Sequence, residues 1–248
     1  MHPIENIFQT IFSHLLPSAC IVCGAFQQHT LCIDCSLLLE SEQLLNYECC
    51  QQCGLTLVVD ELKEKRCRAC STNPPDFDET HCLDRYDGRL QSALHQLKYQ
   101  RRLACGHGLA SAWNQMMSGS LLNSKANYLL PVPLSSEKLC ARGFNQSWEL
   151  ARRIDCDKHI HKNPHILRRH HHVQHQAQEN RANRQIAIQG MFYINPQYQG
   201  CLESASVIVF DDVMTSGATL NEIARVLKDN GVSRVINWVL LRTLYPSS

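Results

Sequence analysis

Val207-Ile208-Val209-Phe210-Asp211-Asp212-Val213-Met214-Thr215-Ser216-Gly217-Ala218-Thr219-Leu220 runs from four apolar residues into two acids and then into a short hydroxylated loop. An unbroken apolar run of this length has the pattern of a strand buried on both faces, as in a parallel sheet. Downstream, Leu220, Ile223, Ala224 and Leu227 recur at three- and four-residue spacing, which predicts a helix with one buried face. In parallel sheets, ligands lie beyond the carboxyl ends of the strands. Asp211 and Asp212 therefore fall where a ligand would sit.

The loop Thr215, Ser216, Gly217, Ala218 and Thr219 opens the helix. N–H groups at a helix N-terminus are unpaired and stand at the positive end of its dipole, so the loop suits a phosphate. Gly217 permits close backbone approach, and the hydroxyls of Thr215, Ser216 and Thr219 add donors. The two carboxylates cannot bind that phosphate. They can accept hydrogen bonds from the vicinal hydroxyls of a sugar, directly or through a divalent cation, which makes the implied ligand a sugar phosphate. Neither a mononucleotide P-loop nor a dinucleotide glycine fingerprint competes for the stretch. The segment resembles the phosphoribosyl pyrophosphate (PRPP) signature of type I phosphoribosyltransferases, in which two acids bind the ribose hydroxyls and the loop wraps the 5′-phosphate. That resemblance makes Asp211 and Asp212 the expected catalytic pair, with Thr215 to Thr219 holding phosphate.

Toward the N-terminus the chain changes character. Nine of its 14 cysteines lie in the first 70 residues, and eight form CxxC knuckles: Cys20/Cys23, Cys32/Cys35, Cys50/Cys53 and Cys67/Cys70. With no export signal preceding them, metal binding is the better reading than disulfides, and a reducing cytoplasm is the expected setting. Four knuckles supply the eight thiolates that two tetrahedral zinc sites need, and all-thiolate sites with no open position are structural. An iron–sulfur cluster uses the same ligands. Spacing leaves the pairing open between sequential and crossed, and Cys49 can replace Cys50. Segments this short bury little core, so metal would supply the folding energy. Ahead of the knuckles, Ile4, Ile7, Phe8, Ile11, Phe12, Leu15 and Leu16 describe an amphipathic helix over 1–16. No apolar span reaches membrane length, so no stable membrane insertion is expected.

Asn73-Pro74-Pro75-Asp76 is a stiff polar break. We divide the chain into the helix 1–16, a cysteine-rich segment 17–72, a linker leading in over 73–85, and an α/β domain over 86–248. Beyond the break, helices over 90–97 and 103–117 precede a strand at Tyr128-Leu129-Leu130-Pro131-Val132-Pro133. A helix over 145–154 follows, then short strands near Ile166 and Met191-Phe192-Tyr193, the signature strand and helix, and a last strand over 235–241. This alternation predicts an α/β fold with a mostly parallel sheet flanked by helices. Pro131, Val132 and Pro133 fix a loop that leads to Lys138 and to Arg142-Gly143-Phe144-Asn145-Gln146, which offers charge and amide donors to an anion. Residues 158–184 hold Lys158, Lys162, Arg168, Arg169, Arg181 and Arg184 against a single glutamate, Glu179, and also seven of the 13 histidines. This is a solvated face, a hood over pyrophosphate, or a patch for a polyanion. The formal net charge of +1 argues neither for nor against nucleic acid.

Together, the four knuckles, Leu97-Lys98-Tyr99, Pro131-Val132-Pro133, Arg142-Gly143-Phe144-Asn145-Gln146 and the Asp211-Asp212 signature resemble the ComF family of competence proteins and its GntX-like relatives. The likeness covers nearly the whole chain and implies a double zinc ribbon joined to a type I phosphoribosyltransferase-like domain. Gln176, Arg181, Arg184 and Gly190-Met191-Phe192 match the family's hood, while Ala187 stands where it carries Asn. The resemblance implies a cytoplasmic factor for natural transformation that binds PRPP with Mg2+ and handles incoming single-stranded DNA, with other competence proteins as partners. The alternative it implies is an active phosphoribosyltransferase with an unidentified base as acceptor. In that reading, Arg142 with Lys98 or Arg181 stabilises the departing pyrophosphate, with Gln146 and Arg184 in the same group of contacts.

Overall fold

The computed structural model describes residues 18–42, 44, 47–121, 125–170 and 188–244. The amphipathic segment 1–16 and the hood residues Gln176, Arg181, Arg184 and Ala187 lie outside them. In chain order the strands are β1 (Ser18–Ala19), β2 (Phe26–Gln27), β3 (Glu79–Arg85), β4 (Tyr128–Pro131), β5 (His161–Lys162), β6 (Leu167–Arg169), β7 (Phe192–Ile194), β8 (Ser206–Met214) and β9 (Arg234–Arg242). The helices are α1 (Ile33–Glu42), α2 (Arg68–Thr72), α3 (Gln91–Gln100), α4 (Leu103–Leu121), α5 (Ser136–Arg142), α6 (Gln146–Ala151) and α7 (Ala218–Asp229).

Five strands form one sheet in the order β3-β9-β8-β4-β5, parallel at every pairing, which is the α/β architecture expected. The apolar run that predicts β8 is fully buried from Val207 to Phe210. Side chains alternate across a strand, and the two cores follow that alternation. Ile208 and Phe210 pack with Leu94, Leu97, Leu109 and Trp113 of α3 and α4, whereas Val207 and Val209 pack with Leu220, Ile223 and Leu227 of α7. The Trp113 ring meets Phe210 edge-on at 5.5 Å and lies 5.7 Å from Trp238.

Several boundaries differ from the sequence reading. Glu79–Arg85, read as part of a linker, is an edge strand of the sheet. β4 stops at Pro131 rather than at Pro133. The segment from Ser135 to Ala151 holds two helices where one is expected. Ser135 caps α5 by accepting from the Lys138 N–H at 3.3 Å, and Gly143, at φ +84°, ends it in the left-handed region that glycine tolerates. β6 and β7 pair antiparallel as a separate ribbon, and Arg168 and Arg169 of the basic stretch lie in β6.

The cysteine-rich part does not stand apart from the sheet. Cys20 and Cys35 join the core of α3 and α4, while Cys50, Cys53, Cys67 and Cys70 join the core on the α7 face. No helix among the described residues is long and apolar enough to cross a membrane.

Leu109 is fully buried in the first core, whereas Leu139 of α5 is exposed. Leu109→Ala is expected to lower stability by ~3 kcal/mol, read as a lower urea midpoint with an unchanged slope. Leu139→Ala should stay within about 0.5 kcal/mol of the parent.

Candidate ligand site and metal centres

β8 is longer than its neighbour on one side. Its last rung with β4 is Pro131 opposite Phe210, but pairing with β9 continues to Met214 opposite Arg242. Asp211 and Asp212 therefore lie inside the strand, not beyond it as the sequence reading placed them, at the point where the β4 side of the sheet opens. α6 closes on this gap. Asn145 caps α6, its Oδ1 accepting from the N–H groups of Ser147 and Trp148 at 3.0 and 3.4 Å, while its Nδ2 donates to the Val132 carbonyl at 3.0 Å. That pair of bonds ties the Pro131-Val132-Pro133 turn to the helix that supplies Gln146 and Ser147.

Both acids are buried, and their partners are specific. Lys98 of α3 forms an ion pair with Asp212, Gln146 Nε2 donates to Asp212 Oδ1 at 3.2 Å, and Ser147 Oγ donates to Asp211 Oδ1 at 3.3 Å. Arg142 Nη1 donates to Gln146 Oε1, and its guanidinium lies 5.6 Å from the centre of the Tyr99 ring. Lys98, Arg142 and Gln146, named from sequence as anion contacts, thus converge on the acidic pair. Burial, followed by the Asp212 charge, pushes the Asp211 carboxyl well above its usual range. Burial opposes charge on Asp212 too, but the Lys98 ammonium and hydrogen bonds from Lys98, Gln146 and Asp211 outweigh it and hold that carboxyl below the usual range. Of the two, Asp211 is the carboxyl driven toward its protonated form and Asp212 the one held toward its charged form.

Thr215 to Thr219 follow directly. Gly217 has φ +81°, a backbone conformation that side chains rarely adopt, so the turn favours glycine. Ser216 Oγ accepts from the Ala218 N–H at 3.4 Å. Asp211 and the loop line a small cavity of about 40 Å³. Larger cavities lie against the cysteine tetrads, about 530 Å³ beside Cys50 and β3 and about 920 Å³ between Cys20 and the start of α4.

The cysteines gather sequentially. Cys20, Cys23, Cys32 and Cys35 form one tetrad and Cys50, Cys53, Cys67 and Cys70 the other, all sulfurs of a tetrad lying within 4.8 Å of one another. The Cys23–Cys32 and Cys53–Cys67 sulfurs are 3.8 and 3.6 Å apart, near the ~3.8 Å edge of a thiolate tetrahedron with ~2.3 Å metal bonds. Each tetrad can hold one metal ion. Cys49 is not a member: its thiol points to the Leu44 carbonyl at 3.8 Å, and burial pushes it up to about 11. Gly24 and Gly54 take the left-handed turns after the first and third knuckles, their N–H groups donating to Cys20 and Cys50 carbonyls at 2.9 and 2.8 Å.

Sequence reasoning missed Ser147, Asn145 as a cap, and Arg242, a buried cation at the end of β9. Arg242 could have been noticed, because a charge that closes the apolar run Trp238 to Leu241 needs buried partners.

No family model matches the chain. It is 29% identical over 241 residues to DNA utilization protein YhgH of Salmonella typhimurium, covering 92% of this chain and 99% of that protein. Similarity to competence protein F of Haemophilus influenzae is 24% over 233 residues, covering 90% and 96%. Competence protein ComFC of Bacillus subtilis is 24% identical over 242 residues, covering 90% and 95%. Among solved structures, a hypoxanthine phosphoribosyltransferase from Staphylococcus aureus overlaps at TM-score 0.33 and 14% identity, over 58% of this chain and 68% of that one. Likeness at that level adds nothing to the sheet order described above.

The proton on Asp211 gives a signed stability prediction. Below about pH 4 the folded and unfolded chains both carry it; above, only the unfolded chain releases it, until the raised folded pKa is passed. Ionisable Asp211 therefore costs stability as pH rises through that window. Asp211→Asn should gain stability from about pH 4 to 7, by ~1.4 kcal/mol for each unit of upward shift, in urea unfolding. Asp212→Asn should lose roughly 3 kcal/mol at neutral pH, since it strands the Lys98 ammonium.

Proposed function

Because the chain is homologous to the ComF competence proteins along nine-tenths of its length, we propose that it serves DNA uptake as a PRPP-binding, single-stranded-DNA-handling factor. The observation that carries the proposal is the convergence of Lys98, Gln146 and Ser147 on Asp211 and Asp212, directly ahead of the Thr215–Thr219 loop. Asp211 and Asp212 would take the two ribose hydroxyls, and the loop N–H groups the 5′-phosphate. Lys98 and Arg142, on the open side of the acids, would meet the pyrophosphate. Carboxylate oxygens are the donors that Mg2+ takes, and with PRPP bound the ion would neutralise pyrophosphate charge. The two tetrads fit Zn2+ in a structural role, with all eight ligands thiolates and no position open.

The surface beside the acids supports a nucleic-acid role. Tyr99 is 66% exposed, its ring 4.6 Å from His95, with Arg142 over it. Arg101, two residues on, is also exposed, and its Nη2 donates to the Ala141 carbonyl beside Arg142 at 2.8 Å. An exposed ring framed by cations is what stacking of a base and neutralisation of its phosphates require. A cytoplasmic setting follows from the thiols. The second reading is turnover: PRPP would lose pyrophosphate to an incoming base while Asp211 and Asp212 hold the ribose as charge develops at its anomeric carbon. It is favoured by retention of both acids with an exposed aromatic ring beside them.

Calorimetry should find PRPP binding that requires Mg2+. Asp212→Asn should weaken it at least about a hundredfold while metal content stays at two equivalents per chain. Unaltered binding in that variant removes the site assignment. Affinity for a single-stranded oligonucleotide should fall linearly in log–log against salt, by about 0.7 per phosphate neutralised, and less steeply in Arg142→Ala. A salt-independent affinity counts against the DNA role.

A further inference from the structure

Arg242, the last residue of β9, is the only buried arginine among the described residues. Its Nε donates to the Cys53 carbonyl at 3.0 Å. Its Nη1 donates to the carbonyls of Met214 at 3.0 Å, Thr243 at 2.9 Å and Thr215. All four partners are backbone carbonyls, and no salt bridge among the described residues includes it. One guanidinium thus grips a ligand residue of the second tetrad and the first residues of the candidate phosphate loop.

Two physical consequences follow. A buried cation needs compensating charge, and four thiolates around one divalent ion leave two negative charges in excess. The loaded second tetrad, whose Cys53 carbonyl Arg242 already holds, supplies that charge. In a trans peptide, moreover, C=O and N–H point in opposite directions. Pinning the Met214 and Thr215 carbonyls turns the N–H groups of Thr215 and Ser216 away from the guanidinium. The Thr243 N–H, donating to Met214 O at 3.0 Å, fixes the same peptide from a second side.

We propose that Arg242 is a positioning residue that links metal binding in the Cys50–Cys53–Cys67–Cys70 tetrad to anion binding at Thr215–Thr219, each strengthening the other. The proposal rests on reading that loop as a phosphate site. Coupling of this kind is reciprocal. The first tetrad, packed in the other core, serves as an internal control.

The test uses the full chain loaded with metal, inorganic phosphate as the probe of the loop, and a chromophoric chelator in competition. Cys23→Ser, at an exposed cysteine of the first tetrad, identifies which metal equivalent belongs to which tetrad. Saturating phosphate should raise the chelator concentration that withdraws the second-tetrad metal by roughly five- to tenfold and leave the other equivalent unmoved. In Arg242→Met the factor should fall to about one. Arg242→Lys keeps the charge without the fork and should lie between. Independently of any anion, stripping the second metal should speed hydrogen exchange at the Asn221 and Thr243 amides, which donate to Gly217 and Met214 at 2.9 and 3.0 Å, while Val207 to Phe210 keep their protection. If calorimetry shows no phosphate binding but exchange still rises, the phosphate reading falls and the link stands. Unchanged exchange, or an equal chelator shift in Arg242→Met, overturns the link.

Discussion

Two adjacent carboxylates buried at the end of an apolar strand are the constraint to which the rest of the structure answers. Burial and the neighbouring charge push the Asp211 carboxyl upward, while Lys98 and its hydrogen-bond partners hold Asp212 below the usual range. That requires α3 to deliver an ammonium and α6 an amide and a hydroxyl to the gap where β4 stops short. The cap on α6, the Val132 carbonyl it grips and the glycine that ends α5 all serve to place Gln146 and Ser147. A ligand bearing hydroxyls could replace this internal network bond for bond.

The cysteine-rich segment has a different economy. Its residues contribute short elements and little apolar area, and several of its large side chains stay exposed, among them Phe26, Ile33 and Val59. Each tetrad instead borrows a core from the α/β domain, on opposite faces of the sheet. The second is further fastened by backbone and side-chain bonds, with the Thr80 N–H donating to Gln51 and Gln52 Nε2 to the Phe77 carbonyl.

The α/β order, the parallel sheet, β8 with its helix and the eight cysteines that gather into two tetrads were all legible in the sequence, because each rests on a local pattern. Val207 to Phe210 have no polar interruption, and CxxC spacing constrains a ligand pair without help from the fold. What could not be read depends on contacts across long separations. The choice between sequential and crossed knuckles is made by packing on two separate cores. The extension of β8 through Asp211 and Asp212 depends on β9 continuing beside it, and Arg142-Gly143-Phe144-Asn145-Gln146 reads as one anion-binding run although it is a helix end, a turn and a cap. Arg181 and Arg184 lie outside the described residues.

The sheet order carries a consequence for how the molecule is made. β3 pairs only with β9, which is synthesised last of the strands, about 150 residues later. Its hydrogen bonds and those of the second tetrad's seat, including Asn237 to Thr80, cannot form while the chain is still short. Such distant pairings close slowly. Until the final strand leaves the ribosome, β3 remains an unpaired strand edge and the seat of the second tetrad is incomplete. During that interval the nascent chain is open to aggregation and to oxidation of its free thiols.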